Sequence, residues 1–169
     1  IRPEVHIVIT EDYILRIIRL AAEFIAKALK LSREGDFLTS EKTLENGLKD
    51  ITGISVDTLR ILDAGALKDL VAGDEPSIFI LAEVLETLAA IELQKGMLDL
   101  HYIYLIKSLE LYLSIENTED FETEKPILQI YPKVREVLYD RNIISDLIVF
   151  YNHLGNREEM EFLKGLQAD

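Results

Sequence analysis

The sequence predicts an all-α fold of stacked antiparallel helix hairpins. Three observations carry that prediction. Gly35, Gly96 and Gly155 each follow a long amphipathic stretch and open a short turn into a second one: Arg33-Glu34-Gly35-Asp36-Phe37, Gln94-Lys95-Gly96-Met97-Leu98 and His153-Leu154-Gly155-Asn156-Arg157. Helices commonly stop this way, because glycine enters the left-handed region without a Cβ clash. Within the extended apolar stretches, hydrophobic residues recur at three- and four-residue spacing. No alternating run is long enough to argue for a sheet; Val5-His6-Ile7-Val8-Ile9 is strand-like, but one strand has nothing to pair with unless another subunit supplies it.

Thr10-Glu11-Asp12 offers a hydroxyl N-cap and two acids, so the first helix is expected to start there and run to about Glu34. Its polar positions, Asp12, Arg16, Arg19, Glu23, Lys27, Lys30 and Glu34, form a narrow stripe. A helix apolar over most of its circumference must be covered on more than one side, as a central packing element or a subunit interface. Leu38 to Ile51 returns as its partner and ends at Thr52-Gly53. Ser55 and Asp57 are candidate caps for a third helix, which carries Val56, Leu59, Ile61, Leu62, Leu67, Leu70 and Val71 in one piece up to Gly73. Asp74-Glu75-Pro76 then restarts the chain, since proline is tolerated in a first turn, giving a fourth helix over 77–95. The fifth, Leu98 to about Ile115, is apolar nearly all round and is expected to be buried. Residues 116–126, with Asn117, five acids and Pro126, form the longest expected loop. Helices over 127–139 and 143–154 and a short last one over 158–166 complete the chain.

With 169 residues, the chain is expected to form a single helical domain, 1–169, with residues 1–10 as an N-terminal extension and 116–126 as an acidic loop. A formal net charge of -13 argues against nucleic acid, whose phosphates are bound by Lys and Arg. The acidity is concentrated in residues 51–124, which hold 15 acids and 4 bases. That segment is either a solvated face or a patch that steers a basic partner. A hydrophobic fraction of 49% beside 29% charged residues leaves apolar area for a partner or a second subunit, and a homo-oligomer is expected. No run resembles a membrane span, and the N-terminus lacks a secretory pattern, so a cytoplasmic protein with no membrane partner is expected.

The glycine punctuation resembles that of the tetratricopeptide repeat, a helix-turn-helix unit with small residues where its helices cross. The first hairpin has Ala28, Gly35, Phe37, Ser40 and Gly47 at the corresponding positions, with Leu31 in place of the repeat's aromatic. The second has Ala89, Gly96, Leu98 and Ser108, with Glu92 and His101 departing; the third keeps Tyr151 and Gly155 and departs at Ile148, Arg157 and Met160. The turn glycines are 61 and 59 residues apart, so the units are degenerate or separated by extra helices. Together with Asp12-Tyr13-Ile14-Leu15-Arg16 and Leu59-Arg60-Ile61-Leu62-Asp63, the pattern resembles an uncharacterised bacterial family of tetratricopeptide-like helical proteins. The resemblance implies a right-handed superhelix, packed through Ala28, Gly35, Gly47, Ala89, Gly96, Ser108 and Gly155. It implies no catalytic residue.

His6, His101 and His153 have no metal-ligand spacing, cysteine is absent, and the acidic loop lacks the glycine and Asp alternation of a calcium loop. Phosphate-loop and dinucleotide patterns are missing too, so no cofactor, metal or catalytic residue is nominated. The tyrosines Tyr102, Tyr104, Tyr112, Tyr131, Tyr139 and Tyr151 crowd the second half. Tyrosine suits interfaces, and Tyr102, Tyr104, Tyr112, Tyr131 and Tyr151 are the candidate interaction surface; the alternative is core filling with hydroxyls at the edge. The expected function is non-enzymatic, mediating protein or peptide binding or self-assembly. The competing reading is a small-molecule or peptide binder, or an enzyme without a recognisable motif, and it requires a pocket of convergent polar groups.

Overall fold

A computed structural model describes the backbone of residues 3–169 and the side chains of residues 12–169, and the described chain is all-helical, without a strand. Helix α1 spans Pro3–Arg33, so from residue 3 onward the expected extension 1–10 and the strand-like Val5–Ile9 segment are helical backbone. Pro3 suits a first helical position because its missing N–H would have no intrahelical partner there. The isoleucines and valines that follow have no strand to pair with, and a helix satisfies their backbone internally. His6 lies outside the described side chains.

The three glycine turns are built alike. Gly35 (φ 83°) joins α1 to α2, Phe37–Thr52; Gly96 (φ 79°) joins α5, Glu75–Gln94, to α6, Leu98–Leu113; Gly155 (φ 73°) joins α8, Arg141–His153, to α9, Arg157–Ala168. In each, the glycine N–H donates to the carbonyl three residues back and the next N–H to the carbonyl five back: Ser32 and Leu31, Leu93 and Glu92, Asn152 and Tyr151. These bonds satisfy carbonyls that a helix end otherwise leaves open.

The third expected helix is two: α3, Val56–Ile61, and α4, Ala64–Leu70. Leu62 is extended (φ -79°, ψ 144°), and the Asp63 carboxylate accepts the Ala66 N–H at 2.7 Å, restarting the helix. The carbonyls of Leu59 and Arg60, at the end of α3, accept the Lys107 ammonium of α6 at 2.9 and 3.0 Å. Helix α7, Glu124–Val134, tightens into a 3-10 turn at Arg135–Val137 and starts earlier than expected, so Glu124-Lys125-Pro126 is its first turn and not part of the acidic loop. The remaining loop is pinned. Glu75 accepts the backbone N–H groups of Glu116 and Asn117 at 3.0 and 3.2 Å, and the buried Phe121 ring lies 5.2 Å from that of Phe79.

Central packing falls to α5, which meets α1, α2 and α6, while α6 meets α4, α7 and α8. Residues Ile80 to Ala82, Val84, Leu85, Leu88, Ala89 and Ile91 of α5 are fully buried. Helix α1, expected to be central or at an interface, buries one seam of Ile17, Ala21, Ala28 and Ser32 and leaves Tyr13, Leu15 and Leu20 exposed. The buried apolar residues from Ile17 to Leu163 form one connected cluster.

Small residues sit where helices cross. Ala28, Ala89 and Ser108 have no exposed surface, and a Cβ at Gly47 would lie 2.3 Å from the Phe24 ring. The first two hairpins also repeat one hydrogen bond: Ser40 Oγ donates to the Ala28 carbonyl at 2.6 Å, and His101 Nδ1–H to the Ala89 carbonyl at 2.7 Å. Donor and acceptor hold the same places relative to the turn glycine in both. Ser108 Oγ adds a bond to the Ala82 carbonyl at 2.7 Å, and Ser32 Oγ bonds Gln94 Oε1 at 2.6 Å, tying the end of α1 to that of α5.

Candidate functional site

Four of the five candidate surface tyrosines, Tyr104, Tyr112, Tyr131 and Tyr151, are buried, and Tyr102 is half-buried. Their rings fill the core. Tyr131 donates to Glu159 at 2.9 Å and Tyr112 to Glu86 at 3.2 Å, so two of the hydroxyls end on carboxylates. Burial and the neighbouring Glu159 push the Tyr151 phenol up to about 12, so it stays protonated at neutral pH. Of the tyrosines in the second half, Tyr139 is exposed, at 81%. A tyrosine-lined docking face is therefore not what these rings present.

The structure assembles a different candidate on α5. Glu83 and Glu86, three residues apart, share one helical face. A hollow of about 440 Å³ lies on one side of the pair, between Leu15 and Ile18 of α1, Phe79 of α5 and the first turns of α7. A second, of about 230 Å³, lies on the other side, walled by Ile25 and Leu29 of α1 and by Thr87 and Ala90. The two hollows form a trough with apolar walls and a carboxylate floor.

The electrostatics of that floor are unusual for a chain so rich in acid. Among the described residues neither Glu83 nor Glu86 makes an ion pair. Glu86 accepts from the Tyr112 hydroxyl and feels Lys133, but burial still holds its carboxyl above the usual range. Glu83 has less. Its Oε2 is inaccessible to solvent and has no hydrogen-bond donor among the described residues, and burial, then the charge of Glu86, pushes the carboxyl up to about 7. A carboxyl in that state can take or release a proton near neutrality. The Thr87 hydroxyl beside it donates to the Glu83 carbonyl at 2.8 Å. Among the described residues no three His, Asp or Glu side chains converge to hold a metal ion, and no helix is long and apolar enough to cross a membrane.

Other charged clusters serve the fold. Glu41 binds Lys95 at 2.6 Å and Arg60 at 3.0 Å, and Lys95 reaches the buried Glu92 at 3.4 Å, joining α2, α3 and the end of α5. Arg135 lies 3.7 Å over the Phe162 ring and 3.4 Å from Glu159. A wider cleft of about 830 Å³ between the end of α6, α7 and α8 is apolar along Leu128, Val149 and Leu154, with acids and bases mixed at its rim.

Compared with protein-family models, curated proteins and solved structures, the chain matches none. Sequence reasoning missed the Glu83–Glu86 pair because two acids on an amphipathic helix read as a solvated stripe. The signal was present: α5 carries four acids and no base in 20 residues, the rest being almost wholly apolar.

Proposed function

We propose that this chain is a non-enzymatic, tetratricopeptide-like helical-repeat protein of the cytoplasm that binds another protein through the trough between α1 and α5. The observation that carries this reading is the trough itself, two hollows in line along α5 with apolar walls supplied by Leu15, Ile18, Ile25 and Leu29. Open grooves between helices accept a peptide or helix by burying its apolar face, whereas small-molecule sites enclose most of their ligand. The hydrogen bond repeated at Ser40 and His101 supports the repeat reading, and a right-handed superhelix is the arrangement we infer for it.

Leu15 is 58% exposed, so a polar side chain there should leave the fold intact. Affinity capture from native lysate with the wild type, Leu15→Asp and Val149→Asp tests the reading. The expected result is a partner retained by the wild type and by Val149→Asp and lost from Leu15→Asp. Equal retention by all three would remove the trough from the interaction.

Self-assembly is favoured by a separate observation. Tyr13 and Leu20 are 50% and 43% exposed on the outer side of α1, with the Arg16 guanidinium 5.7 Å over the Tyr13 ring. We infer a homodimer through this face, distinct from the trough.

A further inference from the structure

We propose that the trough binds an amphipathic partner segment by receiving one of its basic side chains, lysine or arginine, between Glu83 and Glu86. This rests on the reading of the trough as the interaction site and names the chemistry of its occupant.

The charge balance is one-sided. The trough is lined by Glu83, Glu86, Asp120 and Glu122 against Lys125, and Lys133 acts on Glu86 alone. Helix α5 contributes no base, and neither Glu83 nor Glu86 has a cationic partner among the described residues. A half-buried carboxylate with no cation beside it costs free energy that a charge-assisted hydrogen bond to its accessible oxygen would recover. An ammonium or guanidinium supplies both the charge and the N–H groups. Its aliphatic stem would lie along Leu15, Ile18 and Phe79, and the partner's apolar neighbours along Ile25 and Leu29. Acidic and neutral side chains fit this floor less well: the first adds a third negative charge, and the second leaves the pair unneutralised. A divalent cation finds two carboxylates and no third ligand among the described residues.

The test is selection of a random peptide library, displayed on phage, against the wild type, the double variant Glu83→Gln/Glu86→Gln and the control Glu158→Gln/Glu161→Gln. The control removes the same net charge from α9, away from the trough. Peptides enriched on the wild type and on the control should share one Lys or Arg flanked by apolar residues. Synthesised individually, they should bind the Glu83→Gln/Glu86→Gln protein at least tenfold more weakly, and replacing that one base by Gln should weaken wild-type binding to the same degree. Enriched peptides with no shared base, or equal affinity for wild type and the trough variant, would overturn the inference while leaving the apolar trough as the interaction site. No enrichment on the wild type would overturn both. Glutamine keeps the side-chain shape and removes the buried charge, so the variant should fold, and its mass in solution gives a further outcome: a dimer that becomes a monomer would assign the trough to a second copy of this chain and overturn the partner proposal.

Discussion

Glu83 has its carboxyl where few donors reach it, and its response to pH follows from that position. Its folded value of about 7 lies above the ordinary 4.5, so between those limits the folded chain holds a proton that the unfolded chain has released. Stability from this group therefore falls as pH rises through that window and is level on either side. Glu83→Gln removes the effect. Urea midpoints of the variant and wild type should differ more at pH 8 than at pH 5, the variant gaining about 1 to 3 kcal/mol at the higher pH. Glu41 and Glu45, whose carboxyls are held below the usual range by Lys95, Arg60 and Lys49, act in the opposite sense at lower pH, and they cancel in the comparison. An unchanged difference between pH 5 and pH 8 would mean that Glu83 ionises freely. Composition marked residues 51–124 as acidic, and that much of the site was legible. Which acids point inward was not, because helical spacing alone does not say which side of a helix lies against a neighbour, and α5 is enclosed by α1, α2 and α6.

At the scale of elements, the crossing of α1 and α2 depends on Gly47. A side chain there meets the Phe24 ring at 2.3 Å, well inside van der Waals contact. Gly47→Val should destabilise the protein by about 1 to 3 kcal/mol, the usual cost of overpacking, and Phe24→Leu should restore part of the loss in the double variant. The measurement is the denaturant midpoint of the two single variants and the pair; strictly additive losses would mean that the two residues do not touch. Gly35, Gly96 and Gly155 were readable as turns because a left-handed backbone imposes its residue type directly on the sequence. The break at Asp63 was not, since Leu62 and Ala64 continue the apolar rhythm and an aspartate in mid-pattern reads as an exposed helical residue until its carboxylate is seen on the Ala66 N–H. The start of α7 hid for a related reason. Proline closes a loop as readily as it opens a helix, and Pro126 belongs to a first helical turn, where its missing N–H is no loss.

For the whole molecule, the apolar surface left on α1 predicts association. Sedimentation equilibrium at micromolar concentration should return a dimer for the wild type and a monomer for Leu20→Lys, whose charge falls on the exposed outer face of α1. A wild-type monomer under the same conditions would reserve that face for another protein. The apolar excess was legible in the composition; its location was not, because the narrow polar stripe of α1 suggested a helix covered on several sides, and the helix that the fold encloses is α5. The bond between Ser32 and Gln94 adds a mechanical property. It fastens α1 to α5 at the same end of both helices, beside the smaller hollow, while Leu15 and the larger hollow lie roughly 25 Å farther along α1 at about 1.5 Å per residue. Beyond that joint α1 is braced along its length by the buried Ile17, Ala21 and Ala28. A tilt of about 5° at Ser32 would carry Leu15 through roughly 2 Å over that arm, and the packed seam is what resists it, so the gape of the wide end is set by how well those three residues fit the core.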